Sequence, residues 1–147
     1  MVSVSDSGAL SVNGTTISSL NDLVPNFEGG TTGDTTTLYL KLNSDWQAAA
    51  RYEIYIFDST DGTHYWYTME KVDDTIYKYS VPNEVINKVS GNEKNIIFVR
   101  SNPKLPEHDW ASKYNQTEDL KIPTNGDTKF TITSGSGDNY KGSWSTP

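Results

Sequence analysis

The fold is decided by residues 51–71, which read RYEIYIFDSTDGTHYWYTMEK. This stretch holds two alternating segments, Arg51–Phe57 and Tyr65–Lys71, separated by a polar connection that contains Asp61-Gly62. Alternation of apolar and polar side chains is typical of a strand with one buried face, and a short polar connection between two such strands predicts a hairpin. We therefore expect residues 51–71 to form an antiparallel pair of strands.

The register of this hairpin follows from pairing Phe57 with His64. One face then carries the apolar cross-strand pairs, which are Ile56 with Tyr65, Ile54 with Tyr67 and Tyr52 with Met69. The opposite face carries the remaining pairs, which are Tyr55 with Trp66, Glu53 with Thr68 and Arg51 with Glu70. A shift by one residue would mix the two faces, and a shift by two would lose the aromatic pair and the charge pair. Tyr55 and Trp66 are thus predicted to be neighbours on the solvent side.

The rest of the chain supports an all-β fold. Further alternating segments are separated by turn residues, and they comprise Thr37–Asn43, Thr75–Val81, Asn95–Ser101 and Lys129–Thr133. Asn95–Ser101 is apolar on both faces until Arg100, as expected for a central strand. The only helix candidates are short, at Ser44–Ala50 and Pro82–Val89. Short strands at this spacing predict an antiparallel β-sandwich of immunoglobulin-like type, in which Trp144 adds a last strand.

Composition divides the chain in two and excludes several functions. We expect residues 1–35, rich in Ser, Thr and Gly, to be a linker or the end of a preceding module, and residues 36–147 to form the sandwich. The net charge of −7 argues against binding to nucleic acid or to an anionic membrane, because both require a basic surface. The absence of cysteine excludes disulfides and thiolate sites.

Exposed aromatic pairs such as Tyr55 and Trp66 are suited to binding sugars. A pyranose presents C–H bonds on one face and hydroxyl groups at its rim, so a flat ring can stack on it. Aromatic side chains also have few torsions, so ordering them on binding costs little. The alternative is structural, with Tyr55 packed beneath a loop and Trp66 covering the second sheet.

An ordered set of segments resembles a known family, and it comprises TLYLKLNSDW, ARYEIYIFDSTDGTHYWYTMEKVDDTIYKYSVP, NIIFVRSNP, DWASKYNQTEDLKIP, FTIT and GSWST. Over about residues 36–147 the chain resembles a starch-binding carbohydrate-binding module of family 26. The resemblance implies an all-β sandwich that binds α-1,4-glucan without catalysis. It also implies an extracellular, secreted or surface-attached protein, because similar modules belong to bacterial amylases and to starch-adhering surface proteins.

The resemblance also implies a site. In the family the sugar rests on two tyrosines two positions apart on one strand and on a tryptophan of the next strand. Tyr55 and Trp66 match the second tyrosine and the tryptophan, whereas Glu53 stands at the position of the first tyrosine. Either Glu53 accepts a hydrogen bond from a sugar hydroxyl, or the match is offset and Tyr52 belongs to the site.

Three polar residues are further candidates for contacts with sugar hydroxyls. His64 borders the aromatic pair, Arg100 ends the central strand, and Gln116 lies in an Asn-Gln-Thr segment that we interpret as a loop. Each also has a structural alternative, since its side chain could form hydrogen bonds that stabilise a turn or the end of a strand. Trp46 and Trp110 are assigned to the core or to the anchoring of a loop.

We expect a non-catalytic module that needs no cofactor and no metal. None of the common catalytic motifs is present in the sequence. The acidic turns at Asp58–Asp61 and Asp73-Asp74 lack the spacing of a calcium loop. The expected partner is an α-glucan such as starch, amylopectin or a maltooligosaccharide, bound by a monomer within a multidomain protein. The alternative function is a protein-interaction or adhesion module with a similar sandwich.

Overall fold

The computed structural model describes residues 34–47 and 49–147. The predicted segment 1–35 therefore lies almost wholly outside the described residues, and its role stays a prediction. The described part is an all-β sandwich of two sheets with little helix, as the alternation predicted. Among these residues, no helix is both long enough and apolar enough to cross a membrane.

Within residues 34–47 and 49–147, nine strands build the two sheets. They are β1 (Thr35–Lys41), β2 (Arg51–Phe57), β3 (His64–Thr68), β4 (Glu70–Lys71), β5 (Ile76–Pro82), β6 (Ile96–Ser101), β7 (Lys113–Gln116), β8 (Lys129–Ser134) and β9 (Lys141–Ser145). One sheet has the order β4-β5-β1-β8-β9 and the other the order β3-β2-β6-β7. β2 pairs antiparallel with β3 and β6, and the pairs β4 with β5, β6 with β7 and β8 with β9 are also antiparallel. β1 and β8 run parallel, with Leu40 beside Phe130.

The helical candidates are shorter than predicted. Among the described residues of the first candidate, only Ser44–Trp46 is helical, as a 3-10 turn in which the Asn43 side chain accepts a hydrogen bond from the Asp45 amide. The second candidate forms helix α1 (Asn83–Val89), with Pro82 as the N-cap residue. A second 3-10 turn, Trp110–Ser112, was not predicted.

The hairpin of β2 and β3 has the predicted register, with Tyr55 opposite Trp66 and Phe57 opposite His64. Its turn is closed by backbone hydrogen bonds from the Asp58 amide to the Thr63 carbonyl (2.8 Å) and from the Gly62 amide to the Asp58 carbonyl. The φ of Gly62 is 78°, a conformation that glycine adopts without strain. Alternation and turn chemistry therefore agree on this register.

The predicted pair of Arg51 with Glu70 is wrong, because the second strand of the hairpin ends at Thr68. After Met69 the chain crosses to the other sheet, where Glu70 pairs with Lys78. The predicted strand Tyr65–Lys71 therefore corresponds to two strands of the structure, β3 and β4, one in each sheet. A period-two pattern continues through such a crossing, so alternation alone does not reveal it.

The core lies between the two sheets. Its largest fully buried side chain is Trp46, at 0 % exposure, so the prediction that Trp46 is a core residue is confirmed. The inner face of β2 contributes Tyr52, Ile54 and Ile56, all buried, and Tyr67 packs against this cluster. The predicted apolar face of the hairpin is therefore the core face.

The outer face of β6 is also buried, as predicted for a central strand. Ile97 and Val99 point away from the core yet are 7 % and 0 % exposed. The segment between β6 and β7, residues 102–112, returns across the sheet, as its contacts with Arg51 and Glu53 on β2 demonstrate. We call this segment the covering loop.

Candidate functional site

Three aromatic rings meet on the outer face of the β3-β2-β6-β7 sheet. Tyr55 and Trp66 are cross-strand partners whose ring centroids lie 4.9 Å apart in an edge-to-face arrangement. Trp110 completes the cluster, with its ring 4.9 Å from Tyr55 and 4.7 Å from Trp66. These distances lie within the favourable range for aromatic pairs. We call Tyr55, Trp66 and Trp110 the aromatic platform.

Trp110 is brought to the platform by the covering loop, and it is not a core residue. Its 3-10 turn is capped by Asp109, whose side chain accepts a hydrogen bond from the Ala111 amide. The ring is 42 % exposed, and the ammonium group of Lys113 lies 5.5 Å from its centroid. Its contacts fasten the loop to the sheet, while its free surface faces solvent. The core assignment is therefore wrong, whereas the alternative that Trp110 anchors a loop is confirmed.

The covering loop is fixed mainly by Arg51. The guanidinium group donates to the carbonyl oxygens of Leu105 and Pro106, each at 2.9 Å, and its Nε donates to Glu53 at 2.8 Å. Ser112 donates a further hydrogen bond to the Pro106 carbonyl. Arg51 therefore joins β2 to the loop instead of pairing across the hairpin.

Glu53 is at the centre of this arrangement and is fully buried. Its Oε2 atom accepts from Arg51 and from the backbone amide of His108, at 3.1 Å. A carboxylate enclosed in this way cannot accept a hydrogen bond from a sugar hydroxyl. The prediction that Glu53 binds the sugar is therefore wrong as the described side chains stand, because the covering loop lies over it.

Two histidine rings border the platform on opposite sides. The exposed ring of His64 lies 5.7 Å from Tyr55, as expected from its place beside the aromatic pair. The ring of His108, which the sequence did not single out, lies 5.9 Å from Trp66 and 3.1 Å from the Thr68 hydroxyl. Ring N–H groups are hydrogen-bond donors at the edge of the platform.

Tyr52 and Arg100 do not belong to this surface. Tyr52 is 2 % exposed, faces the core and donates its hydroxyl hydrogen to the Trp46 carbonyl. Burial raises the pKa of this phenol. Arg100 is the cross-strand partner of Tyr52, so it shares the inner side of the sheet, where its guanidinium contacts the Tyr114 ring at 4.9 Å. Both predictions are wrong, because alternation turns these side chains away from Tyr55.

Gln116 is linked to the aromatic platform through Lys113. It lies in β7, a strand that the sequence analysis interpreted as a loop, and it pairs with Val99 on the outer face. Its side-chain oxygen accepts from the Lys113 ammonium group at 2.8 Å, and the same group lies over Trp110. Lys113 also forms an ion pair with Asp138 at 2.8 Å. Gln116 therefore positions Lys113 beside the platform.

The carboxylates of the acidic turns accept hydrogen bonds that stabilise those turns. Asp58 accepts hydrogen bonds from the hydroxyl and the amide of Thr60 and from Asn92, and Lys88 lies 3.2 Å away. These contacts, led by the Thr60 hydroxyl, hold the pKa of Asp58 well below its usual range. Asp73 likewise accepts from the Thr75 and Ile76 amides. Both carboxylates thus act as caps of tight turns.

Chemically, the platform offers neutral rings with donors at their edge. Tyr55 and Trp66 are half-buried and Trp110 is partly exposed, so flat apolar surface is presented to solvent. Imidazole and ammonium groups border this surface, and they can donate hydrogen bonds to hydroxyl oxygens. Comparison of the chain with protein-family models, with curated proteins and with solved structures finds no match in any of the three.

Proposed function

We propose that the chain is a non-catalytic module that binds α-1,4-glucan on the aromatic platform. The proposal rests above all on one observation, the meeting of Tyr55, Trp66 and Trp110 on an outward face. Rings that stand at an angle to one another suit successive glucose units better than one flat plane, because an α-1,4 chain curves. The same binding would attach a larger extracellular protein to starch or to maltooligosaccharides.

The polar groups around the platform fit a neutral, hydroxyl-rich ligand. His64 and His108 lie beside two of the rings, and Lys113 lies over the third. Donors of this kind can form hydrogen bonds with the hydroxyl groups at the rim of a sugar, while the rings stack on its C–H face. The net charge of −7 also favours a neutral ligand over an anionic one.

The test is retardation in a native gel that contains amylopectin, with maltoheptaose titrations followed by tryptophan fluorescence. Stacking on an exposed ring is worth about 1–3 kcal/mol if a sugar behaves like a base on an aromatic side chain. Trp66→Ala and Trp110→Ala should therefore each weaken binding about tenfold or more, since 1.4 kcal/mol corresponds to a factor of ten. Tyr55→Ala should have a similar effect.

Tyr114→Ala is the matched control, because Tyr114 is an exposed ring that contacts Arg100 instead of the platform. It should bind amylopectin like the unaltered chain, and a gel with hydroxyethylcellulose should not retard either protein. An unretarded wild-type chain would refute the proposal and favour the protein-interaction or adhesion module. Normal binding by both tryptophan variants would show that the glucan binds elsewhere.

A further inference from the structure

Three metal-ligating side chains converge beneath the covering loop. One carboxylate oxygen of Glu53, one of Glu107 and a ring nitrogen of His108 lie within 4.8 Å of one another. Glu53 is on β2, whereas the other two residues are neighbours on the loop. We propose that these three residues bind a divalent transition-metal ion of the zinc class. This inference goes beyond the proposed glucan binding and does not depend on it.

The strongest support comes from the unpaired oxygen of Glu53. Its Oε2 atom has two donors, Arg51 and the His108 amide, but its Oε1 atom is buried with no hydrogen-bond partner among the described residues. A buried charged oxygen without a partner is costly, and native structures nearly always provide one. An ion between the three side chains would supply that partner.

The other two candidate ligands, Glu107 and His108, lie close to each other. The Thr68 hydroxyl donates to Glu107 and lies 3.1 Å from the Nε2 atom of His108, so one side chain of β3 holds both residues close together. The Nε2 atom of His108 lies 3.5 Å from Glu107 Oε1. Ligand atoms about 2.0–2.2 Å from one zinc ion are themselves about 3–3.5 Å apart in tetrahedral geometry. The ligand atoms of Glu107 and His108 therefore already have a spacing that fits one zinc ion.

The ligand set selects the class of ion. One imidazole and two carboxylates suit zinc and related transition metals, whereas calcium prefers six or more oxygen ligands. Water or the Thr68 hydroxyl would complete the coordination. The Arg51 guanidinium on Glu53 opposes a cation and lowers its affinity. This proposal departs from the expectation of a metal-free module.

Binding of the ion would strengthen the attachment of the covering loop to the sheet. Arg51 already holds Leu105 and Pro106, and the ion would hold Glu107 and His108. The His108 ring also stacks against Trp66 at 5.9 Å, so metal binding would fix one edge of the aromatic platform.

The test is isothermal titration of the full chain with ZnCl₂ and, separately, with CaCl₂, after removal of metals with EDTA. We expect one zinc site per chain and at least tenfold weaker binding of calcium. Glu107→Gln and His108→Asn should each weaken zinc binding tenfold or more. Asparagine is chosen because His108 has a φ of 59°, which asparagine tolerates. Circular dichroism should show that both variants remain folded.

His64→Asn is the matched control, since the chain has two histidines and His64 is exposed near the same platform. This variant should bind zinc like the unaltered chain. The proposal is overturned if no saturable site is found, if calcium binds as tightly as zinc, or if His64→Asn is the variant that loses zinc. Heats of zinc binding do not involve glucan, so failure of either proposal can be recognised separately.

Discussion

Replacing Glu53 with alanine should detach the covering loop, although Glu53 contacts no solvent. The fully buried carboxylate accepts from Arg51 Nε at 2.8 Å and from the His108 amide at 3.1 Å. Breaking a buried ion pair from one side costs about 3–5 kcal/mol, because the remaining charge keeps its desolvation cost. Arg51 retains the carbonyls of Leu105 and Pro106, so we expect the lower end, about 3 kcal/mol.

For a sandwich of this size, 3 kcal/mol corresponds to a fall in melting temperature of about 10 °C. The assay is thermal unfolding in EDTA, so that metal binding cannot contribute, together with limited trypsin digestion at the exposed Lys104 of the loop. Glu53→Ala should melt earlier and be cleaved faster at Lys104. Glu53→Gln keeps an acceptor for the His108 amide and should show about half the loss of stability.

Glu70→Ala is the matched control for this experiment. Glu70 is exposed and pairs with Lys78 in the other sheet, so its removal should change stability by less than about 0.5 kcal/mol. The reasoning is refuted if Glu53→Ala melts within about 2 °C of the unaltered chain. It is also refuted if Glu70→Ala is the more damaging substitution, because Arg51 would then depend on Glu70 after all.

Two further predictions concern stability. A Cβ at Gly142 would lie 1.9 Å from the Thr131 carbonyl oxygen, so Gly142→Ala should cost about 3 kcal/mol or more in urea unfolding, whereas Gly91→Ala, with open space around it, should cost little. The pKa of Asp58 is lower in the folded than in the unfolded chain, so its stabilising effect is complete above about pH 4 and is lost as the pH falls through the folded pKa. Asp58→Asn should therefore be less stable than the unaltered chain at pH 7 in urea unfolding, and the difference should shrink below about pH 4; a constant difference would contradict this assignment.

Local patterns were sufficient to predict the hairpin and its faces. Alternation placed Tyr52 and Ile54 on one side and Tyr55 on the other, and matching the two faces across the hairpin placed Tyr55 opposite Trp66. Register is strongly determined where one face is buried, because a slip by one residue exposes every apolar side chain. The cross-strand pair at the centre of the candidate site therefore follows from the sequence.

The covering loop could not be derived in the same way. Its position depends on hydrogen bonds from Arg51 to carbonyl oxygens about fifty residues away in sequence, and backbone carbonyls have no sequence signature. For this reason the contact of Trp110 with Tyr55 and Trp66 and the burial of Glu53 were not predicted. One signal was present: Ile97 and Val99 sit on the outward face of a central strand, and apolar residues there require a cover.

The parallel pairing of β1 with β8 has a consequence for how the module is made. Among the described strands β1 is synthesised first, yet it occupies the middle of its sheet, with Leu40 beside Phe130. At ordinary rates of synthesis, the wait for β8 is on the order of ten seconds. During that time Leu38 and Leu40, both fully buried in the finished sheet, have no partner strand on that side. The central strand of this sheet can therefore gain its second neighbour only after β8 has been synthesised.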